Sequence, residues 1–275
     1  MKKYLSILLV SLLALSSCSD DKVHIPKLNK LTKITCYVND DTNAAYTANI
    51  SYMSDGQIVN MQKGGYNYQF TYVSNILTVS DNTSAKTEYI FNKNKIGSKK
   101  IYEQNPQANN EIYISNEYQY NYTGSSLYSA DWTTRWPGES GTGYESRYYK
   151  NAESYVWQGG NIVRFAQNEE EMTYEYSTQK QPTNFPFRVI NSLNPTNFDF
   201  ISPINLLFGT MNTYLPQRAY WYNVKNPGVI NAEYTFTYNV VGEYVTNMTI
   251  EEKNHVAEDG YNTYKYIFEY IFEEK

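Results

Sequence analysis

Cys18 is the residue whose neighbours most clearly specify a reaction. It follows Leu15-Ser16-Ser17, and small residues just before a cysteine are what a lipid-transferring enzyme and its peptidase require. The expected product is a chain that begins at Cys18, with acyl groups on its sulfur and its new amine. Several acyl chains hold a protein firmly on a membrane, where one holds it only marginally. The second cysteine, Cys36, sits in Leu31-Thr32-Lys33-Ile34-Thr35-Cys36-Tyr37-Val38, an alternating strand pattern. It reads as a small buried apolar side chain. With Cys18 lipidated, no intramolecular disulfide is available.

Other reactive groupings are thin. Gly138-Glu139-Ser140-Gly141-Thr142 fails as a nucleophile elbow, because the motif needs glycine two places after the serine. His24 and His255 are too poorly placed for a triad, so no catalytic residue is nominated. No histidine or cysteine cluster and no calcium-loop spacing is present, so no metal ligand and no cofactor is expected. Glu169-Glu170-Glu171 reads as a solvated turn. A carboxylate pair for glycoside cleavage depends on a separation in space, and the sequence nominates none. The remaining candidates are aromatic. Trp132, Trp136, Tyr144 and Tyr148 lie in a glycine-rich stretch that reads as a long loop or an irregular pair of strands. Flat rings with polar edges suit sugars and protein interfaces alike, and binding residues concentrate in loops.

The segment before these residues sets where they act. Lys2 and Lys3 precede an apolar run, Leu5–Leu15, whose eleven residues suit an export signal and fall short of a membrane span. Residues 1–17 are therefore expected to be a signal peptide, and residues 18–30 a lipidated acidic tether. Ser19-Asp20-Asp21 resembles the acidic stretch that sends lipoproteins of Bacteroidetes to the outer face of the outer membrane. The periplasmic face is the alternative. Removing Met1–Ser17 takes away two lysines and no acid, which moves the net charge from −5 to −7. That balance argues against nucleic acid, which needs a basic stripe.

Residues 31–275 are expected to form one β domain. Thirty tyrosines, with abundant threonine, asparagine and glycine, favour pleated half-buried strands joined by tight turns. Short strands alternate with turn signals about every 8–12 residues. Asp55-Gly56 and Gly64-Gly65 are hairpin signals. Tyr66, Tyr68, Phe70 and Tyr72 put aromatics on one strand face. The unit recurs as Tyr155-Val156-Trp157, Gly159-Gly160, Ile162-Val163 and Tyr174-Glu175-Tyr176, and again through Tyr234–Tyr238, Val245–Ile250 and Tyr264–Tyr270. Such repetition predicts a single large antiparallel meander sheet, open or barrel-like. The proline-rich stretch 178–228 interrupts it. Ser202-Pro203 followed by Ile204-Asn205-Leu206-Leu207-Phe208 predicts one short helical insert of two to three turns, capping one end of the sheet.

These features together resemble a family of uncharacterised Bacteroidetes lipoproteins with a domain of unknown function. Its domain is a porin-like antiparallel sheet reminiscent of tyrosine-aspartate (Rhs) repeats. The carrying residues are Tyr155–Ile162, Tyr174-Glu175-Tyr176, Asn197-Phe198-Asp199-Phe200, Leu215-Pro216 and the Tyr234–Tyr270 hairpin. The resemblance spans about residues 31–272, blurs over 85–150, and supplies no catalytic residues.

The expectation is a lipid-anchored, surface-exposed envelope protein, not an enzyme. It would bind a glycan or a protein partner through an aromatic-rich β surface. A structural or assembly component of the envelope is the alternative, and a glycan-active enzyme a third. An outer-membrane barrel is disfavoured, because the polar strand positions carry Glu and Lys and the strands look short.

Overall fold

The computed structural model describes residues 31–83, 85–105, 110–136, 147–188, 195–196, 198–226, 228–257 and 260–271. They form sixteen strands. In chain order these are β1 Leu31–Val38, β2 Tyr46–Tyr52, β3 Ile58–Lys63, β4 Tyr66–Val73, β5 Ile76–Ser80, β6 Lys86–Asn92, β7 Lys95–Asn105 and β8 Glu111–Thr123. β9 Ser126–Trp136, β10 Arg147–Gln158, β11 Asn161–Gln167, β12 Glu170–Lys180, β13 Tyr214–Asn223, β14 Ile230–Val241, β15 Tyr244–Asn254 and β16 Tyr261–Tyr270 follow. Each pairs antiparallel with the next, and β16 pairs with β1 to close a barrel. Closure settles the open-or-barrel alternative and leaves no edge strand.

The even strand number puts Leu31 and Tyr270 opposite each other at one end, here the proximal end. Glycine turns close much of that end. Gly124, Gly159, Gly160 and Gly242 all have positive φ there, which glycine alone adopts without cost. Every odd strand places one buried aliphatic side chain just inside it: Leu31, Ile58, Leu77, Ile96, Leu127, Ile162, Leu215 and Val245. The even strand that follows adds an aromatic that clasps this ring at five of the eight positions. Tyr52 donates to the Leu31 carbonyl at 2.8 Å, Tyr122 to Ile96 at 2.6 Å, Trp157 to Leu127 at 2.6 Å, Tyr176 to Ile162 at 2.6 Å and Tyr270 to Val245 at 2.9 Å. The repeat read as aromatic-x-aromatic, glycine turn, aliphatic strand is therefore a physical unit. Its aromatics face inward, as Tyr234, Phe236, Tyr266 and Phe268 also do.

Sixteen strands leave a wide lumen that side chains of the wall alone do not fill. The described residues between β12 and β13, 181–188 and 198–213 above all, fill it. Phe185 packs edge-on to Phe268 of β16 at 5.3 Å, and Phe187 to Phe236 of β14 at 5.6 Å. Phe208 meets Tyr120 of β8, on the opposite wall, at 4.9 Å. Phe198 reaches Tyr46, at the far end of β2, at 5.8 Å. The helix expected over 202–209 is corrected here. The segment holds two short 3-10 turns, Phe198–Ile201 and Pro203–Leu207, and Ser202 makes no side-chain cap. They lie inside the barrel instead of covering an end. The cause is an all-round apolar surface: Ile204, Leu206, Leu207 and Phe208 are all buried, and a segment apolar on every side must be surrounded.

Outside, the wall is polar. Lys33 pairs with Glu269 at 2.7 Å, Lys100 with Glu117 at 3.2 Å, and Arg164 with Glu171. Apolar inside and charged outside is the reverse of a barrel that sits in lipid. Cys36 is buried in the core, and burial pushes its thiol above the ordinary range. Glu169 is ion-paired to Lys225 at 2.5 Å in its exposed turn.

Candidate functional site

β7 to β10 run 11 to 13 residues, whereas β3 to β6 run 5 to 8. The extra length stands beyond the distal end. Glu153 lies opposite Gln167, the last residue of β11, so residues 147–152 of β10 project past their neighbour. Thr133 to Trp136 of β9 project with them, because Lys150 pairs with Thr133 and Arg147 with Trp136. The result is a ribbon that overhangs the barrel mouth.

Three of the four aromatics expected in one loop are strand residues here. Trp132 and Trp136 belong to β9 and Tyr148 to β10. Tyr144 lies outside the described residues, as does Cys18. Trp132 is 8 % exposed and faces the lumen. It stacks on Tyr118 at 5.6 Å, Tyr118 stacks on Tyr120 at 6.1 Å, and Lys99 sits 4.6 Å over the Tyr118 ring. Its ring belongs to a packed column that continues through Phe208 into the lumen filling. Trp136 and Tyr148 are each 62 % exposed. Strand alternation puts Trp136 on the inner face with Trp132 and Tyr148 on the outer face. Tyr149, not among the expected residues, is 48 % exposed on the inner face. Two-residue alternation through Tyr149, Asn151 and Glu153 carries that assignment.

The outer face of the ribbon holds a half-open depression of about 450 Å³. Glu117, Gln119, Asp131, Thr133 and Lys150 line it, with the inward-facing Trp132 and Asn151 at its edge. Tyr148 lies one strand step beyond Lys150, and Arg135 packs against the Tyr148 ring at 5.7 Å. Asp131 accepts a hydrogen bond from Asn121 at 3.0 Å, and Glu117 is held by Lys100. Donors and acceptors therefore alternate beside an exposed ring, an arrangement suited to a hydroxyl-rich or peptide ligand. Among the described residues no group of three or more His, Cys, Asp or Glu is placed to hold a metal ion.

At the base of the ribbon Glu153 is 2 % exposed. Tyr155 donates to one of its oxygens at 2.5 Å, and the other oxygen has no partner. Burial raises its carboxyl to about 7, against smaller opposing effects of the Tyr155 hydroxyl and the Lys99 charge. Sequence reasoning missed this group. Its only signal was the inward alternation with Tyr155 and Trp157.

Exposed apolar side chains divide unequally between the two ends. Tyr66, Ile112, Trp136, Tyr148, Tyr149, Val224, Val229, Val256 and Tyr261 stand at the distal end. Met53, Val73, Val241 and Ile271 stand at the proximal end, and Tyr128 and Val156 on the outer wall near it.

A family model described as a domain of unknown function, DUF5032, matches residues 18–275. No curated protein matches the chain. Two solved structures share the fold. A porin-like protein from Bacteroides uniformis aligns with a TM-score of 0.60 at 13 % identity, over 88 % of this chain and 98 % of that one. A porin-like protein from Bacteroides vulgatus aligns with a TM-score of 0.55 at 15 % identity, over 88 % and 98 %. The porin-like resemblance read from the sequence holds at the level of fold.

Proposed function

The chain belongs to the DUF5032 family, and for it we propose a lipid-anchored protein of the outer membrane that binds a glycan or a surface protein without catalysis. The single observation that carries this reading is the concentration of exposed aromatic and apolar side chains at the distal end. The anchor would be Cys18. Its tether joins the barrel at Leu31, at the proximal end, so the membrane lies below the glycine turns. The overhanging ribbon with Trp136, Tyr148 and Tyr149 then points away from the lipid. The acidic Ser19-Asp20-Asp21 stretch supports surface display. The polar outer wall supports a barrel that stands in water on its tether.

The test is affinity electrophoresis of soluble residues 23–275 through gels cast with plant, host and bacterial polysaccharides, read with tryptophan fluorescence. Retardation by one polysaccharide, lost in Trp136→Ala or Tyr148→Ala, supports a glycan. No retardation and no fluorescence change across the panel sinks the glycan reading. Crosslinking on intact cells then tests a protein partner. A structural role in the envelope is the second reading, favoured by a lumen already filled by the protein's own residues. The anchor is tested separately: Cys18→Ala should release the protein from membranes and abolish palmitate incorporation.

A further inference from the structure

Arg188 lies in the lumen filling just after Phe185 and Phe187, and its side chain is 0 % exposed. One terminal nitrogen, Nη1, points at the Gly209 carbonyl at 3.5 Å and at the Met211 sulfur at 3.8 Å. Nε and Nη2 have no partner. Those two nitrogens form one edge of the guanidinium, the parallel fork that grips two oxygens of an anion or one halide. Among the described residues no carboxylate pairs with Arg188. The groups facing it from the wall are the phenols of Tyr122 on β8 and Tyr155 on β10. A buried cation without a counter-charge is costly, and removing one partner of such a pair costs several times what an exposed pair is worth. A guanidinium stays charged at neutral pH even when burial lowers its basicity, so deprotonation offers no relief.

We propose that the Nε–Nη2 edge of Arg188 holds a small monovalent anion inside the barrel, halide or carboxylate in class. The anion is a structural ligand that fastens the lumen filling to β8 and β10. Full burial of Arg188 beside Tyr122 and Tyr155 favours an anion of a few atoms. The site is separate from the distal ribbon and does not depend on what binds there.

Bromide is the probe. Crystals of residues 23–275 grown with bromide should show an anomalous peak in the fork of Arg188. In solution, at constant ionic strength, each tenfold rise of bromide or formate above its Kd should raise the Tm by about 3–5 °C. Arg188→Met, which keeps the volume and removes the charge, should show no anion dependence. Ordered water in the fork without an anomalous peak overturns the proposal. So does a peak seen only at molar bromide while the Tm stays still, or an equal salt response in wild type and Arg188→Met. If Arg188→Met does not fold, the wild-type anomalous map and melts decide the matter.

Discussion

Glu153→Gln should flatten the pH dependence of stability, and the size of the effect follows from the lumen. The carboxyl of Glu153 titrates near 7 in the folded barrel, against an ordinary value of 4.5. Between those values the folded state holds a proton that the unfolded chain has released. Stability therefore falls as pH rises through that window. Below the ordinary value both states are protonated and nothing is lost. Above the folded value the whole cost is present and constant. A raise of about 2.5 units at 1.36 kcal/mol each is about 3 kcal/mol. For a domain of this size that is about 6–12 °C in Tm. Glutamine keeps an acceptor for the Tyr155 hydroxyl but adds an amide group that must be accommodated, a fixed cost that does not vary with pH. The informative quantity is thus the difference between the two proteins at pH 8.5 minus that at pH 5, measured by urea or thermal melts. It should be about 3 kcal/mol in favour of glutamine at the higher pH. Parallel curves across the range would refute the reasoning, since they would mean that Glu153 ionises freely in the folded state.

Phe185→Ala removes a ring from between β14 and β16 and should cost about 3–5 kcal/mol in urea melts. Tyr122→Phe strips the clasp from the Ile96 carbonyl and should cost about 1–3 kcal/mol, while Tyr128→Phe on the outer wall changes stability by less than about 0.5 kcal/mol. Trp136→Ala and Tyr148→Ala should likewise leave the melting curve within about 0.5 kcal/mol of wild type, whatever they do to binding. Cys36 should resist thiol reagents in the folded barrel and react once the chain is unfolded, as a mass shift would show.

Local chemistry was legible and long-range geometry was not. Asp55-Gly56, Gly64-Gly65 and Gly159-Gly160 announced hairpins because their backbone conformations are set by the residues themselves. The aromatic-x-aromatic strands announced a face, and the eight aliphatic positions of the proximal ring account for the repeat. Closure depends on Leu31 meeting Tyr270, and no local pattern speaks to that pairing. The 202–209 segment reads in the sequence as a helical cap on the sheet, although its apolar residues on all sides imply enclosure. Trp132 to Trp136 was read as part of a possible loop because Trp136-Pro137-Gly138 is a strong turn signal. The β-branched pair Thr133-Thr134 between the two tryptophans was the opposing strand signal. The burial of Glu153 and Arg188 ran against their charge, and only the tertiary packing of β10 and the lumen filling produces it.

Closure between the first strand and the last also dictates the timetable of assembly. The pair that seals the ring joins residues 239 positions apart, Leu31 and Tyr270, and loops of that span close slowly. The lumen filling lies between β12 and β13, so it must be seated before β16 shuts the wall behind it. Until residues 261–270 are delivered, β1 has an open side and the aromatic interior faces solvent. The aromatic core therefore stays unsealed until the C-terminal strand pairs with β1. The chain is exposed to proteases and holdases until its last strand arrives.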